Sequence, residues 1–207
     1  MQNSPCLIRL NNRPIQAMEK AALLVIDMQN GFISPASPLF IAGAPATVPQ
    51  CAEVISSCRE RGIPVFFVIR EYLADGSNVE HTRYDVWLKG GKPLSPGCTE
   101  TISASMPESF GACEKDFTIV KPRYSAFFAT ELDMILRRKG IRHVILAGTT
   151  TPNCIRTTCY DAICLDYEVT VLSDCTSSAT EEIQQSNLRD MANVGARIID
   201  SREFLRA

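Results

Sequence analysis

The chain is poor in histidine and tryptophan: it has only His81, His143 and Trp87, and none of its nine cysteines forms a C-x-x-C pair. Zinc sites need clustered Cys and His at fixed spacings, and a disulfide framework needs an even set of cysteines in a small secreted chain, so neither is expected. Charge of one sign is also lacking. Lys and Arg number 21 against 23 Asp and Glu, a net charge of -2, and no window interleaves basic with aromatic residues. Nucleic acid is therefore not an expected partner. No apolar run is long enough to cross a bilayer, and the first residues lack the apolar centre of a secretory signal. These absences lead to the expectation of a cytoplasmic protein with no membrane partner, in which most thiols are small core residues. Residues 1–18, with Arg9 and Arg13 and no acid, read as an N-terminal arm, and 19–207 as one domain of ordinary size.

What the chain does have is an alternation of short apolar runs with amphipathic segments. The runs at 21–26, 64–69, 117–120, 143–147, 169–172 and 197–199 show little polar alternation, as strands covered on both faces do. The segment running to about Arg61, with Val54, Ile55 and Cys58 on one face, reads as a helix closed by Gly62. A second starts at Thr130 as N-cap, buries Leu132, Ile135 and Leu136 and ends at Gly140. A third starts near Thr180, buries Ile183, Leu188 and Met191 and ends at Gly195. The rhythm is that of an α/β fold with a parallel sheet and right-handed crossovers. Two long Gly-, Pro- and Ser-rich stretches, 33–49 and 72–115, read as loops or lids over one sheet edge.

Open parallel sheets bind ligands beyond the carboxyl ends of their strands. Three polar residues fall there: Asp27 after the first run, Lys121 after the third, and Cys154 in the turn after the fourth. Read singly, they are a loop cap, a surface lysine and a core cysteine. Read together, they make a nucleophile with a base and a cation. Thr151 as N-cap and Pro152 at the first helical position would set Cys154 in a first helical turn, whose positive end favours a thiolate.

The segments ALLVIDMQNGF (22–32), IVKPRYSAFF (119–128) and LAGTTTPNCI (146–155) resemble the three signature segments of the isochorismatase-like cysteine hydrolases, over about residues 20–200. The resemblance implies a Rossmann-like, six-stranded, mostly parallel sheet with helices on both faces and a Cys154-Asp27-Lys121 triad. It also implies a cis peptide between Thr149 and Thr150, and an oxyanion hole from the backbone N–H groups of Thr150 and Cys154. A homo-oligomer, dimer or tetramer, is expected on the same ground. Pro152 departs from the Asn or Asp common two residues before the family's cysteine.

Family nicotinamidases bind a metal through an Asp-x-His pair after the second strand, where this chain reads Arg70-Glu71-Tyr72. Glu71, Asp75 and His81 are an oxygen-rich alternative that reads better as surface, so no metal and no cofactor are expected. The family's isochorismatases often lack the cysteine, so its presence favours carbon–nitrogen hydrolysis. The Arg-Glu-x-x-x-Asp-Gly-x-x-Val-Glu pattern of 70–80 resembles the metal-free branch acting on ureido and N-carbamoyl compounds. The expected partner is then a small amide or ureido substrate, with Phe32, Arg70, Arg83, Trp87, Tyr124 and Phe128 as pocket candidates. Alternatives are nicotinamidase- or isochorismatase-type hydrolysis of another small molecule, a silent family member acting as a binding protein, and a redox-sensing thiol with Cys159 as partner.

Overall fold

The computed structural model describes residues 20–207, so the arm read at 1–18 lies outside the described residues. Six strands, β1 (Ala21–Ile26), β2 (Val65–Ile69), β3 (Phe117–Val120), β4 (His143–Thr149), β5 (Glu168–Ser177) and β6 (Arg197–Ile199), form one sheet in the order β3-β2-β1-β4-β5-β6. Every pairing is parallel. This order reverses direction between β1 and β4, the switch point at which such sheets open a crevice at their carboxyl ends.

The apolar runs are explained by what covers them. All six residues of β1 are buried. Ala22, Leu24 and Ile26 pack on one face with Val144, Leu146 and residues of α4 (Leu132–Arg138), α5 (Arg156–Cys164) and α6 (Glu181–Asn193). Ala21, Leu23 and Val25 pack on the other with Val54, Ile55 and Cys58 of α2 (Ala44–Glu60) and Phe204 of α7 (Ser201–Arg206). Each buried Leu, Ile or Val contributes about 1.5–3 kcal/mol.

Several boundaries differ from the sequence expectation. The 33–49 stretch is loop only at its start, because α2 begins at Ala44 with Pro45 in its first turn and Pro49 inside it. An early proline is tolerated because the first helical N–H groups have no partner within the helix anyway. Upstream of α2, the single turn α1 (Asn30–Ile33) follows β1. The 72–115 stretch contains α3 (Tyr84–Lys89) and three 3-10 turns, folded around a cluster of Phe32, Tyr72, Val79, Trp87 and Leu94. The N-cap of α4 is Glu131, since the Thr130 hydroxyl donates back to Ala126 O at 2.5 Å. Ile183 is 38% exposed, while Gln184 takes the inward place, donating to Ser173 O, Thr176 O and Thr176 Oγ1.

β5 also runs past its expected end, through Ser173 to Ser177, with a register shift against β4 between Leu146 and Gly148. Gly148 pairs with Ile26 at φ +118°, and a Cβ there would collide with the Ile26 backbone. Only glycine lets β4 pass β1 this closely at the switch point. Gly148→Ala is therefore expected to lower unfolding free energy by more than about 3 kcal/mol, measured by urea denaturation. A loss below about 1 kcal/mol would show that the two strands separate easily.

Candidate active site

Asp27, Lys121 and Cys154 meet beyond the strand ends. Asp27 follows β1 with φ 53°, its N–H donating to Val68 O at 2.9 Å, so the β2 edge holds a backbone turn that L-residues other than Asn and Asp rarely adopt. Lys121 follows β3, and its N–H donates to Ile69 O at 2.9 Å. Its ammonium reaches across the end of β2 to Asp27 Oδ2 at 2.8 Å, and also donates to Cys154 Sγ at 3.5 Å and Arg123 O at 3.1 Å. Asp27 is 1% exposed, Lys121 0% and Cys154 6%. A fully buried ammonium has to find partners inside the protein: Arg123 O and Cys154 Sγ accept hydrogen bonds from it, and Asp27 supplies the opposite charge in an ion pair.

The Thr149–Thr150 peptide is cis. The turn after it differs from the expected cap. Thr150, not Thr151, is the N-cap, and Thr151 to Ile155 form a wide turn in which Ile155 N–H donates five residues back to Thr150 O at 3.2 Å. Asn153 N–H uses the same acceptor at 3.1 Å, and Thr151 Oγ1 donates to Ser177 O at 3.0 Å. N–H groups that a first helical turn would point at the thiol are thus engaged elsewhere. Burial, then the charge of Asp27, push the Cys154 thiol up to about 11, against the opposing pull of Lys121 and Arg70. These surroundings favour the protonated thiol, where a helix terminus would favour the thiolate. Burial alone also pushes Cys159 up to about 12, which disfavours the redox pair, because the thiolate is the form that oxidises.

The pocket candidates separate. Arg70 follows β2, so it stands between Lys121 and Asp27 in the row of strand ends. It is 1% exposed, ion-paired to Glu80 through Nη1, and donates from Nη1 to Tyr72 OH at 3.0 Å. Tyr72 OH donates on to Glu80 Oε2 at 2.8 Å. Burial opposes the Arg70 charge, yet Asp27, Cys154, Tyr72 and Glu80 outweigh it and hold the guanidinium above its ordinary range. After burial, which works the other way, Arg70 is the largest influence holding the Glu80 carboxyl low, and Arg83 adds to it. Tyr124 lies with its ring centroid 5.2 Å from Arg70 Cζ. Phe32 and Trp87 sit in the lid's own cluster, with Trp87 Nε1 donating to Pro93 O at 3.0 Å, and Phe128 is 57% exposed. The structure therefore brings Arg70 beside the triad, sets Tyr124 against Arg70 and Arg83 near Glu80, places Phe32 and Trp87 in the packing of the lid, and leaves Phe128 at the surface.

One residue escaped the sequence reading. Gln29, 0% exposed, accepts from Arg70 N at 2.8 Å and donates to Arg70 O and Ala104 O, both at 2.9 Å, tying β1, β2 and the lid together. Its place two residues after Asp27 was the only signal. The metal position suggested by nicotinamidases holds Arg70 and Tyr72, a cation and a phenol, which do not fit a metal ion. Among the described residues no group of three or more His, Cys, Asp or Glu is placed to hold one.

Residues 21–203 match the isochorismatase domain. The chain belongs to the isochorismatase family. Its relatives include an Arabidopsis thaliana protein named as a probable inactive nicotinamidase, 40% identical over 85% of this chain and 90% of that protein. A ureidoacrylate amidohydrolase of Yersinia enterocolitica is 34% identical over 80% of this chain and 78% of its own. Among solved structures, an isochorismatase family protein of Desulfovibrio vulgaris superimposes with a TM-score of 0.83 at 37% identity, covering 89% of this chain and 96% of that one. This isochorismatase-family chain thus has the six-stranded parallel sheet covered by helices that the resemblance implied.

Two outcomes test the site. Lys121→Met leaves Asp27 buried without its counter-ion and is expected to cost about 3–5 kcal/mol of stability in denaturant titration, whereas an unchanged midpoint would show that the pair is dispensable. With the thiol at about 11, iodoacetamide labelling of Cys154, followed by peptide mass, should climb about tenfold per pH unit from neutral to beyond pH 9. A plateau near pH 7 would instead reveal a preformed thiolate.

Proposed function

We propose that this isochorismatase-family protein is a cysteine amidohydrolase that cleaves the C–N bond of a small amide or ureido compound through a thioester on Cys154. The observation that carries this reading is the single buried ammonium of Lys121, bonded at once to a carboxylate and a thiol. Such a cation fixes base and nucleophile in mutual reach and offsets negative charge whichever of them holds the proton.

The raised thiol sets the order of events. Asp27 accepts the Cys154 proton as Sγ attacks the carbonyl carbon, so proton transfer accompanies attack. The backbone N–H groups of Thr150 and Cys154 are the proposed oxyanion donors. The C–N bond then breaks, and the proton on Asp27 passes to the departing nitrogen. Water next attacks the thioester carbonyl and gives its proton to Asp27. As the C–S bond breaks, that proton returns to sulfur, releasing the acid and restoring the resting thiol.

A ureidoacrylate amidohydrolase among the relatives supports C–N cleavage. The Arabidopsis relative's name supports only that nicotinamide hydrolysis is not the reaction to expect. The eight described cysteines are all free, which supports a reducing compartment such as the cytoplasm.

Ammonia release from nicotinamide, ureido acids, N-carbamoyl amino acids and biuret tests the reading. Activity on at least one is expected. On that substrate, Cys154→Ala should abolish turnover, and Asp27→Asn should lower kcat by about 10²–10⁴ with the fold retained by circular dichroism. Full activity in Cys154→Ala would overturn the thioester route.

A further inference from the structure

In the order β3-β2-β1-β4, the carboxyl ends carry Lys121, Arg70, Asp27 and the turn bearing Cys154. The triad uses three of these four ends. Arg70 occupies the fourth, and its backbone is fixed on both sides by Gln29. Its guanidinium is only half satisfied. Nη1 serves Glu80 and Tyr72, while Nε and Nη2 are buried and have no hydrogen-bond partner. A buried donor left without an acceptor costs about 1–3 kcal/mol, and more when charged, so an acceptor brought to these two atoms would relieve that cost. Within the chain the largest anionic influence is Asp27, which acts on the guanidinium by charge and whose own oxygens have no hydrogen-bond partner.

The free atoms form a particular edge. Nε and Nη2 present two parallel N–H bonds that match the two oxygens of a carboxylate. The Tyr124 ring lies by the same guanidinium, its centroid 5.2 Å from Arg70 Cζ, and is itself 37% exposed. The charge balance also permits an anion. Glu80 is offset by Arg83 as well as Arg70, and Asp27 by Lys121, so one further negative group does not leave the cluster with an excess.

We propose that the Nε–Nη2 edge of Arg70 receives a carboxylate of the substrate, so that the site selects small amido or ureido acids over neutral amides. This rests on the amidohydrolase reading of the same site. β2 and β4 are separated by β1, roughly 10 Å between their axes, so the carboxylate and the scissile carbonyl stand apart on a short spacer and not on one carbon.

The test uses Cys154→Ala protein, which binds without turning over, and calorimetric titration with ureido acids of one to three methylenes and with their primary carboxamides. At least one acid should bind about tenfold or more tightly than its amide, as a charge-assisted bidentate pair implies. Adding Arg70→Lys, which keeps the charge and loses the fork, should reduce that preference to about twofold or less, with circular dichroism unchanged. If no acid outbinds its amide while Arg70 is intact, the proposal is overturned, and this arm needs no Arg70 variant to fold. A preference that survives in Arg70→Lys overturns it equally. Turnover of the same compounds by the unsubstituted protein separates the two readings. Neutral amides hydrolysed as well as acids would leave the hydrolase standing without the Arg70 role. Acid-selective binding without turnover of any compound would leave the anion site standing without the hydrolase.

Discussion

An ammonium ion that has lost all contact with water must be surrounded by acceptors, and Lys121 is such an ion. Desolvating it and Asp27 costs several kcal/mol each, and that cost is recovered only when the pair is close and the remaining N–H bonds are occupied. The geometry meets both conditions through Asp27, Cys154 and Arg123 O. Much of the surrounding structure follows from it. β1 and β3 are not neighbours, so the lysine passes over the end of β2, and the residue there must direct its side chain elsewhere. Arg70 does so by pairing with Glu80 and Tyr72.

The same burial governs the nucleophile. A thiol with little access to water, next to a carboxylate, is held above its ordinary value, and the turn after the cis peptide aims two of its N–H groups, those of Asn153 and Ile155, at Thr150 O. Activation by a helix terminus, the common route to a reactive cysteine, is therefore not what this turn offers; the charged groups acting on the thiol are the Asp27 carboxylate, the Lys121 ammonium and the Arg70 guanidinium. Gly148 makes this possible, since the close passage of β4 along β1 sets the thiol-bearing turn beside Asp27.

The lid is joined to the site by polar contacts and by an apolar cluster. Gln29 bonds to Arg70 and to Ala104, while Phe32, just after Asp27, packs with Trp87 and Leu94. A buried amide with this many bonds fixes the relative position of three segments, because breaking any one leaves an unpaired polar group in a dry interior.

The strand runs were legible because a doubly covered parallel strand is written in a few consecutive apolar residues, and Asp27, Lys121 and Cys154 were legible because each directly follows such a run. The family resemblance then supplied the cis peptide between Thr149 and Thr150. The start of α2 was hidden by Pro45, which is accommodated in the first turn, and by Pro49, which lies inside the helix where proline is normally a breaker. Ile183 misled because helical period marks a face without saying which side of a polar-lined edge it meets. Tyr72 carries no local mark, and Gln29 and Glu80 lie within segments that carry the resemblance but say nothing of their partners. Their partners lie from 2 to 75 residues away, and their roles depend on which buried donors packing leaves without water. Sequence by itself determined the sheet and the three strand-end residues Asp27, Lys121 and Cys154 as candidates, since each is encoded within a single short segment. Tertiary structure alone decided the protonated state of the thiol and the half-satisfied Arg70, because both are set by burial and by charges arriving from several strands at once.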